Sequence, residues 1–455
     1  MAASDGFDAV GWVERLARAL TELAQIQQHY RDELYIRNAG RSHRDEYPDP
    51  SRTYQRFYHS ALETESGFQE RRFGPVRPAL TKARGILSEH PAWAETLEAS
   101  DNGQIQFEFP YSAGEKSLLS VIAGLMARGR EAGEDGFRVA CSELALILEP
   151  EGEADPDPVR EELLTGYQVV LFQGLMFGEE VRLGDGLAIV PFGRLDAFFD
   201  ADLLDRLVPG AGKRGAENVT AAIVKPFRWK PAFPADGPPS RFDRFADDPF
   251  VEDADVLIEL LALFHAAPAV RIASLTPRIH RRTCLLLGSL EHYYSFSGGY
   301  RSWMSGWLSG PVAARRDAID AAISAFADRN GEGYRHCAPA IARLAEALAR
   351  RGRFRTDDGI LDVAITLERM YRPGDRGVSA QLQRGMADFL GGSEGDKCRI
   401  RARVKHFYDV RSAIIHGPRD EKKRKLLEER PEAFRDGFEM AQRTVVKMLN
   451  ERPAD

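Results

Sequence analysis

Apolar residues recur every three to four positions along much of the chain, a spacing that predicts helices. In residues 8–38, Val10, Val13, Leu16, Ala17, Leu20, Leu23, Ala24 and Ile26 keep this spacing. Residues 54–100 also read as mainly helical, with breaks at Gly74-Pro75 and Pro91. A short strand-like run at 105–109 stops at Pro110, and apolar segments follow at 118–126 and 139–148. The acidic, proline-rich stretch 149–158 reads as a linker or long loop.

The pattern changes between 165 and 235. Short apolar or alternating runs at 167–172, 180–183, 187–190 and 220–224 are punctuated by Gly178, Gly184-Asp185-Gly186 and Gly193, which predicts strands and tight turns. A proline-rich segment, 226–249, follows. Helical periodicity then returns at 251–266, 311–329, 337–351, 358–371, 378–390, 396–416 and 431–450, with a strand expected at 283–296. The expected fold is multi-domain and mainly α with a β-rich middle. Its parts are a helical N-terminal region (1–160), a β-rich domain (161–249), a helical connector (250–330) and a C-terminal helical bundle (331–455).

Composition narrows the class. The chain has 455 residues, 43% of them hydrophobic and 29% charged, and a formal net charge of -7. These values fit a globular protein and exclude a wholly basic nucleic-acid coat. No apolar run is long enough for a membrane span. The N-terminus lacks the layout of a signal peptide, so a cytoplasmic location without membrane partners is expected. Cys141, Cys284, Cys337 and Cys398 are widely spaced and form no CxxC pair, so neither a disulfide framework nor structural zinc is expected. His280 and Glu291-His292 lack metal spacing. Phosphate-cradling glycine motifs and GxSxG are also missing, so no cofactor is expected.

Charge is uneven. From Arg335 to Asp455 there are 26 Lys+Arg against 19 Asp+Glu. A basic C-terminal quarter on an acidic body suits an anionic partner, although solvated helix faces would look the same. The aromatic, glycine-rich loop 293–303 could stack bases or simply pack.

The segment 401–417, RARVKHFYDVRSAIIHG, carries the most chemistry. On a helix turning about 100° per residue, Ile400, Val404, Phe407, Tyr408, Ile414 and Ile415 form one apolar line. Arg411 lies at its centre. A buried arginine must be paired or meet an anion. Glu368, on the flank of the helix around 359–371, is one candidate partner. A guanidinium so paired keeps donors that could still reach a phosphate. His416 follows about 140° around the helix and about 7.5 Å along it. Gly417-Pro418 then ends the helix. A histidine there could act as general acid or base at a ribose hydroxyl or leaving oxygen, with the arginine stabilising phosphoryl charge. Two copies across a two-fold axis would double both groups.

RSAIIHG, preceded by Phe407-Tyr408-Asp409-Val410, resembles the signature of HEPN domains, an Arg and a His separated by four to six residues. It is most similar to the Apea-like HEPN family, with its Tyr-x-x-Arg-Ser-x-x-x-His-Gly pattern. The helix from Ile360 to Glu368 resembles that family's Ile/Leu-rich helix ending in Leu-Glu. The resemblance covers about residues 335–450. More weakly, the run from Leu183 to Pro191 is like the strand-rich region that often precedes such domains. The resemblance implies a HEPN helical bundle, often dimeric, whose two motifs share a cleft. It implies a metal-independent endoribonuclease acting on RNA as a toxin or anti-phage effector, with Arg411 and His416 as the catalytic pair. Glu368, Asp409, Ser412 and Tyr408 would support them. Ser412 stands where many HEPN domains carry Asn, Asp or His, and some HEPN domains are non-catalytic dimerisation or binding modules. That second reading pairs Arg411 internally and makes the N-terminal region a sensor of a phage or regulatory ligand. Arg403 and the run Lys422, Lys423, Arg424, Lys425 are the expected RNA contacts, the latter at the start of the last helix.

Overall fold

The computed structural model describes residues 7–28, 74–92, 104–108, 113–132, 135–149, 157–194, 219–228, 249–279, 281–286, 310–352, 355–372, 374, 377–417 and 420–451. The chain is mainly helical, with a small antiparallel sheet in the middle.

The N-terminal helices are α1 (Ala9–Gln28), α2 (Val76–Ser88), α3 (Leu118–Glu131), α4 (Gly136–Leu148) and α5 (Pro158–Leu164). A hairpin of β1 (Gln104–Glu108) and β2 (Ala113–Ser117) precedes α3. The helical spacing noted in α1 buries Trp12, Leu16, Leu20 and Leu23 against Leu80 and Leu87 of α2 and Leu144 of α4. Glu143 is buried in this region. It accepts two hydrogen bonds from Arg128, both 2.8 Å, and lies 3.2 Å from Arg282. Two cations thus meet one desolvated carboxylate. Most of the expected acidic linker, 150–156, lies outside the described residues, and α5 starts at Pro158 with Asp157 as its side-chain cap.

The sheet contains β3 (Thr165–Gln173), β5 (Val181–Arg182), β6 (Ala188–Pro191), β7 (Ala221–Arg228) and β8 (Val270–Ile279), in the order β5-β6-β7-β3-β8 with every pair antiparallel. Between β3 and β5, β4 (Leu175–Met176) pairs separately with β9 (Val312–Ala313). Side chains alternate as a pleated strand requires. Val170, Phe172, Ile189 and Ile223 join the large C-terminal core, while Val169, Leu171, Val190 and Val224 form a second cluster.

Two expectations are corrected here. The strand expected at 283–296 is replaced, over its described part, by a short helix, α7 (Arg281–Leu286), and the strand in this region is β8, just before it. An apolar run this short does not distinguish the two elements. β8 also means that the expected helical connector supplies a strand to the sheet. The rest of 283–296, and the aromatic loop 293–303, lie outside the described residues.

The C-terminal helices are α6 (Phe250–His265), α8 (Arg316–Ala327), α9 (Glu332–Gly352), α10 (Thr356–Tyr371), α11 (Val378–Leu390), α12 (Glu394–His416), α13 (Glu421–Glu428) and α14 (Arg430–Asn450). One apolar core runs from the sheet through α6 into α9, α10, α11, α12 and α14. Gln442 of α14 donates to the Leu263 carbonyl of α6 at 2.6 Å. Close helix approach depends on Gly437. A Cβ there would lie 2.4 Å from the buried Phe407 ring. Lys422 to Lys425 belong to α13, a separate eight-residue helix capped by Asp420, and not to the last helix.

Candidate functional site

Helix α12 holds the motif. Ser393 and Asp396 form a reciprocal capping box at its start. Gly417 stops it at the other end, with φ 71°, a backbone region that suits glycine. Ile400, Val404, Phe407, Tyr408, Val410 and Ala413 are buried. Ile414 packs partly against the core. Ile415, expected in the apolar line, is 46% exposed. It lies on the flank of that line, about 40° around the helix from Arg411.

Arg411 is half-buried and faces α10. Its Nη2 lies 3.5 Å from Oε1 of Glu368. The side chains of the two residues are 30% and 29% exposed, so the pair is neither sealed in the core nor free in water. The Nε of Arg411 is buried without a hydrogen-bond partner. The Tyr408 hydroxyl lies 3.3 Å from the same Glu368 oxygen and 3.4 Å from the Ala364 carbonyl. Burial pushes the Tyr408 phenol well above its ordinary value, the Glu368 charge adds to this, and Arg411 opposes it. The phenol therefore remains a hydrogen-bond donor. Tyr408, Glu368 and Arg411 form one polar cluster at the α10–α12 seam, leaving guanidinium donors for an outside anion.

His416 is the last residue of α12 and is exposed. Its position on the helix turns it away from the Arg411 face. Ser412 is half-buried one turn before it. Asp409 is exposed and lies 4.0 Å from Lys405, so the carboxylate that orients Arg411 is Glu368 and not Asp409. Arg403, expected to face RNA, is tied to α14: it donates to Asp436 at 2.9 Å and to Glu439 at 2.6 Å. That bond holds the Glu439 carboxyl below its ordinary value. Lys422, Arg424 and Lys425 are exposed and Lys423 is half-buried. Lys425 faces Glu421 at 3.8 Å.

Sequence reading overlooked the place of Asp362 on α10. It is buried and paired with Arg350 at 3.1 Å and Arg343 at 3.2 Å. Burial raises its carboxyl above the ordinary value, and both arginines oppose this. On the helix it lies across from the apolar stripe of Ile360, Ala364 and Leu367, so periodicity placed it in solvent, and only the packing of α9 covers it. Among the described residues no group of three or more His, Cys, Asp and Glu side chains could hold a metal ion. No described helix is long and apolar enough to cross a membrane.

The folded class is thus a mainly α protein with a small middle sheet, and its candidate site lies on the C-terminal helices. In comparisons with protein-family models, curated proteins and solved structures, nothing matches the chain.

Proposed function

We propose that the protein is a metal-independent endoribonuclease of the HEPN type, acting as a toxin or anti-phage effector from a site shared by two copies of the chain. The observation that carries this reading is the half-exposed Arg411, oriented by Glu368, on the same helix as the exposed terminal His416. His416 would take the proton from a ribose 2′-hydroxyl. The 2′-oxygen would attack the adjacent phosphorus and the P–O5′ bond would break. The leaving 5′-oxygen would gain a proton, from the second His416 in a dimer. Arg411 would stabilise charge on the non-bridging oxygens. The two functions lie on different faces of one helix, so a second copy supplies the missing half.

A non-catalytic binding module is the second reading. It is favoured by the Tyr408–Glu368–Arg411 cluster, which gives the arginine a role in holding α10 to α12. RNA cleavage in EDTA separates the two. The enzyme reading expects cleavage by the wild type and a loss of at least about 100-fold in His416→Ala, with unchanged thermal unfolding. Equal or absent cleavage by the folded wild type and variant favours the binding module.

A further inference from the structure

On α12, Arg401, Lys405, Ser412 and His416 fall within about 60° of one another around the helix and extend over about 22 Å of its length. The middle of this line lies about 110° around the helix from Arg411. Lys405 and His416 are exposed, and Arg401 and Ser412 are half-exposed. Other cations of the helix are committed: Arg403 to Asp436 and Glu439, Arg399 to Asp396, and Lys397 to Glu394 at 3.2 Å. Arg401 has no ion-pair or hydrogen-bond partner among the described residues. Lys405 has only the 4.0 Å approach of Asp409, on the border of the line.

Helix α13 adds a second bank. It begins just past His416 and ends where Glu429 lies 3.5 Å from Nε2 of His406, ten residues back along α12. It therefore runs antiparallel beside α12, carrying Lys422, Arg424 and Lys425 into solvent.

We infer that the outer face of α12 is a track for the sugar–phosphate backbone of single-stranded RNA, with Arg401 and Lys405 as phosphate contacts along the helix before His416 and α13 flanking the track along one edge. The identity of the strand as RNA rests on the ribonuclease reading. The single-strand assignment rests on geometry: Arg401 and Lys405 lie one turn apart on one face of one helix and follow one row of phosphates, with α13 along its edge, whereas duplex RNA is gripped across its grooves.

The test is fluorescence anisotropy of a labelled 12-nucleotide RNA in EDTA, with full-length protein carrying His416→Ala so that binding is read without cleavage. Adding Arg401→Ala and Lys405→Ala is expected to weaken binding on the order of ten- to thirty-fold at 0.1 M salt and to reduce the log–log salt slope by about 1.4. Asp409→Asn should tighten binding, and Arg399→Ala, about 120° away around the helix, should leave it unchanged. Unaltered binding and slope in the double variant overturn the inference, as does tighter binding of a blunt duplex of the same length. Weakened binding beside a wild type that never cleaves keeps the track and removes the nuclease. Cleavage that depends on His416 beside an indifferent double variant does the reverse.

Discussion

Arg411 Nη2 stands 3.5 Å from Oε1 of Glu368, and the hydroxyl of Tyr408 shares that oxygen at 3.3 Å. This contact joins α12 to α10 where the apolar stripe of each helix is interrupted by a charge. The pair is about a third exposed, so solvent screens it and its net contribution is small. Glu368→Ala, which also removes the tyrosine's acceptor, is expected to cost about 1–2 kcal/mol. A urea-unfolding cycle with Tyr408→Phe should show a coupling of about 0.5–1 kcal/mol. Simple additivity would mean that Glu368 and Tyr408 do not act together.

His416 is exposed at a helix end and makes no packing contribution to the core. His416→Ala should therefore change stability by less than about 0.5 kcal/mol, while the proposed nuclease reading expects a loss of cleavage of at least about 100-fold. A large drop in unfolding midpoint would make the residue structural.

Glu143 is 5% exposed between Arg128 and Arg282. Glu143→Ala removes the buried carboxylate that Arg128 holds by two hydrogen bonds and Arg282 approaches, and should destabilise the N-terminal helices by about 3–5 kcal/mol. Glu143→Gln, which keeps an acceptor, should cost less. Circular dichroism melts of both variants test the order.

His90 is buried beside the Phe7 and Trp12 rings, and its Nδ1 accepts from the Ala92 N–H at 3.2 Å. Burial lowers its pKa from 6.5 to about 4. The unfolded chain thus takes up the proton first as pH falls. The contribution of the neutral ring is complete above about pH 6.5 and disappears progressively between there and about pH 4, at most about 3 kcal/mol. His90→Asn, whose side-chain oxygen can replace Nδ1, should flatten stability against pH in that window. An unchanged slope would assign the acid sensitivity elsewhere.

Gly437→Ala pushes a methyl group to 2.4 Å from the Phe407 ring, which has no exposed surface to move into. The expected cost is about 1–3 kcal/mol. A neutral result in urea unfolding would mean that α12 and α14 are not packed this closely.

Much of the helical C-terminal part was legible because its signals are local. The stop at Gly417 and the apolar periodicity of α9, α10, α12 and α14 each depend on a few neighbouring residues. The Glu368–Arg411 contact could also be anticipated, since two helices with a charge set in or beside an apolar stripe satisfy each other when those stripes meet.

Sequence by itself thus determined most of the long C-terminal helices, where the motif helix ends, and that Arg411 needs a partner. Only the tertiary structure decided what each face meets. β8 became a strand by pairing with β3 about a hundred residues earlier. Arg403 left the expected RNA contacts because Asp436 and Glu439 come to it from α14. Periodicity records the direction in which a side chain points, whereas its neighbours are set by chain closure over long sequence separations, which no local pattern encodes.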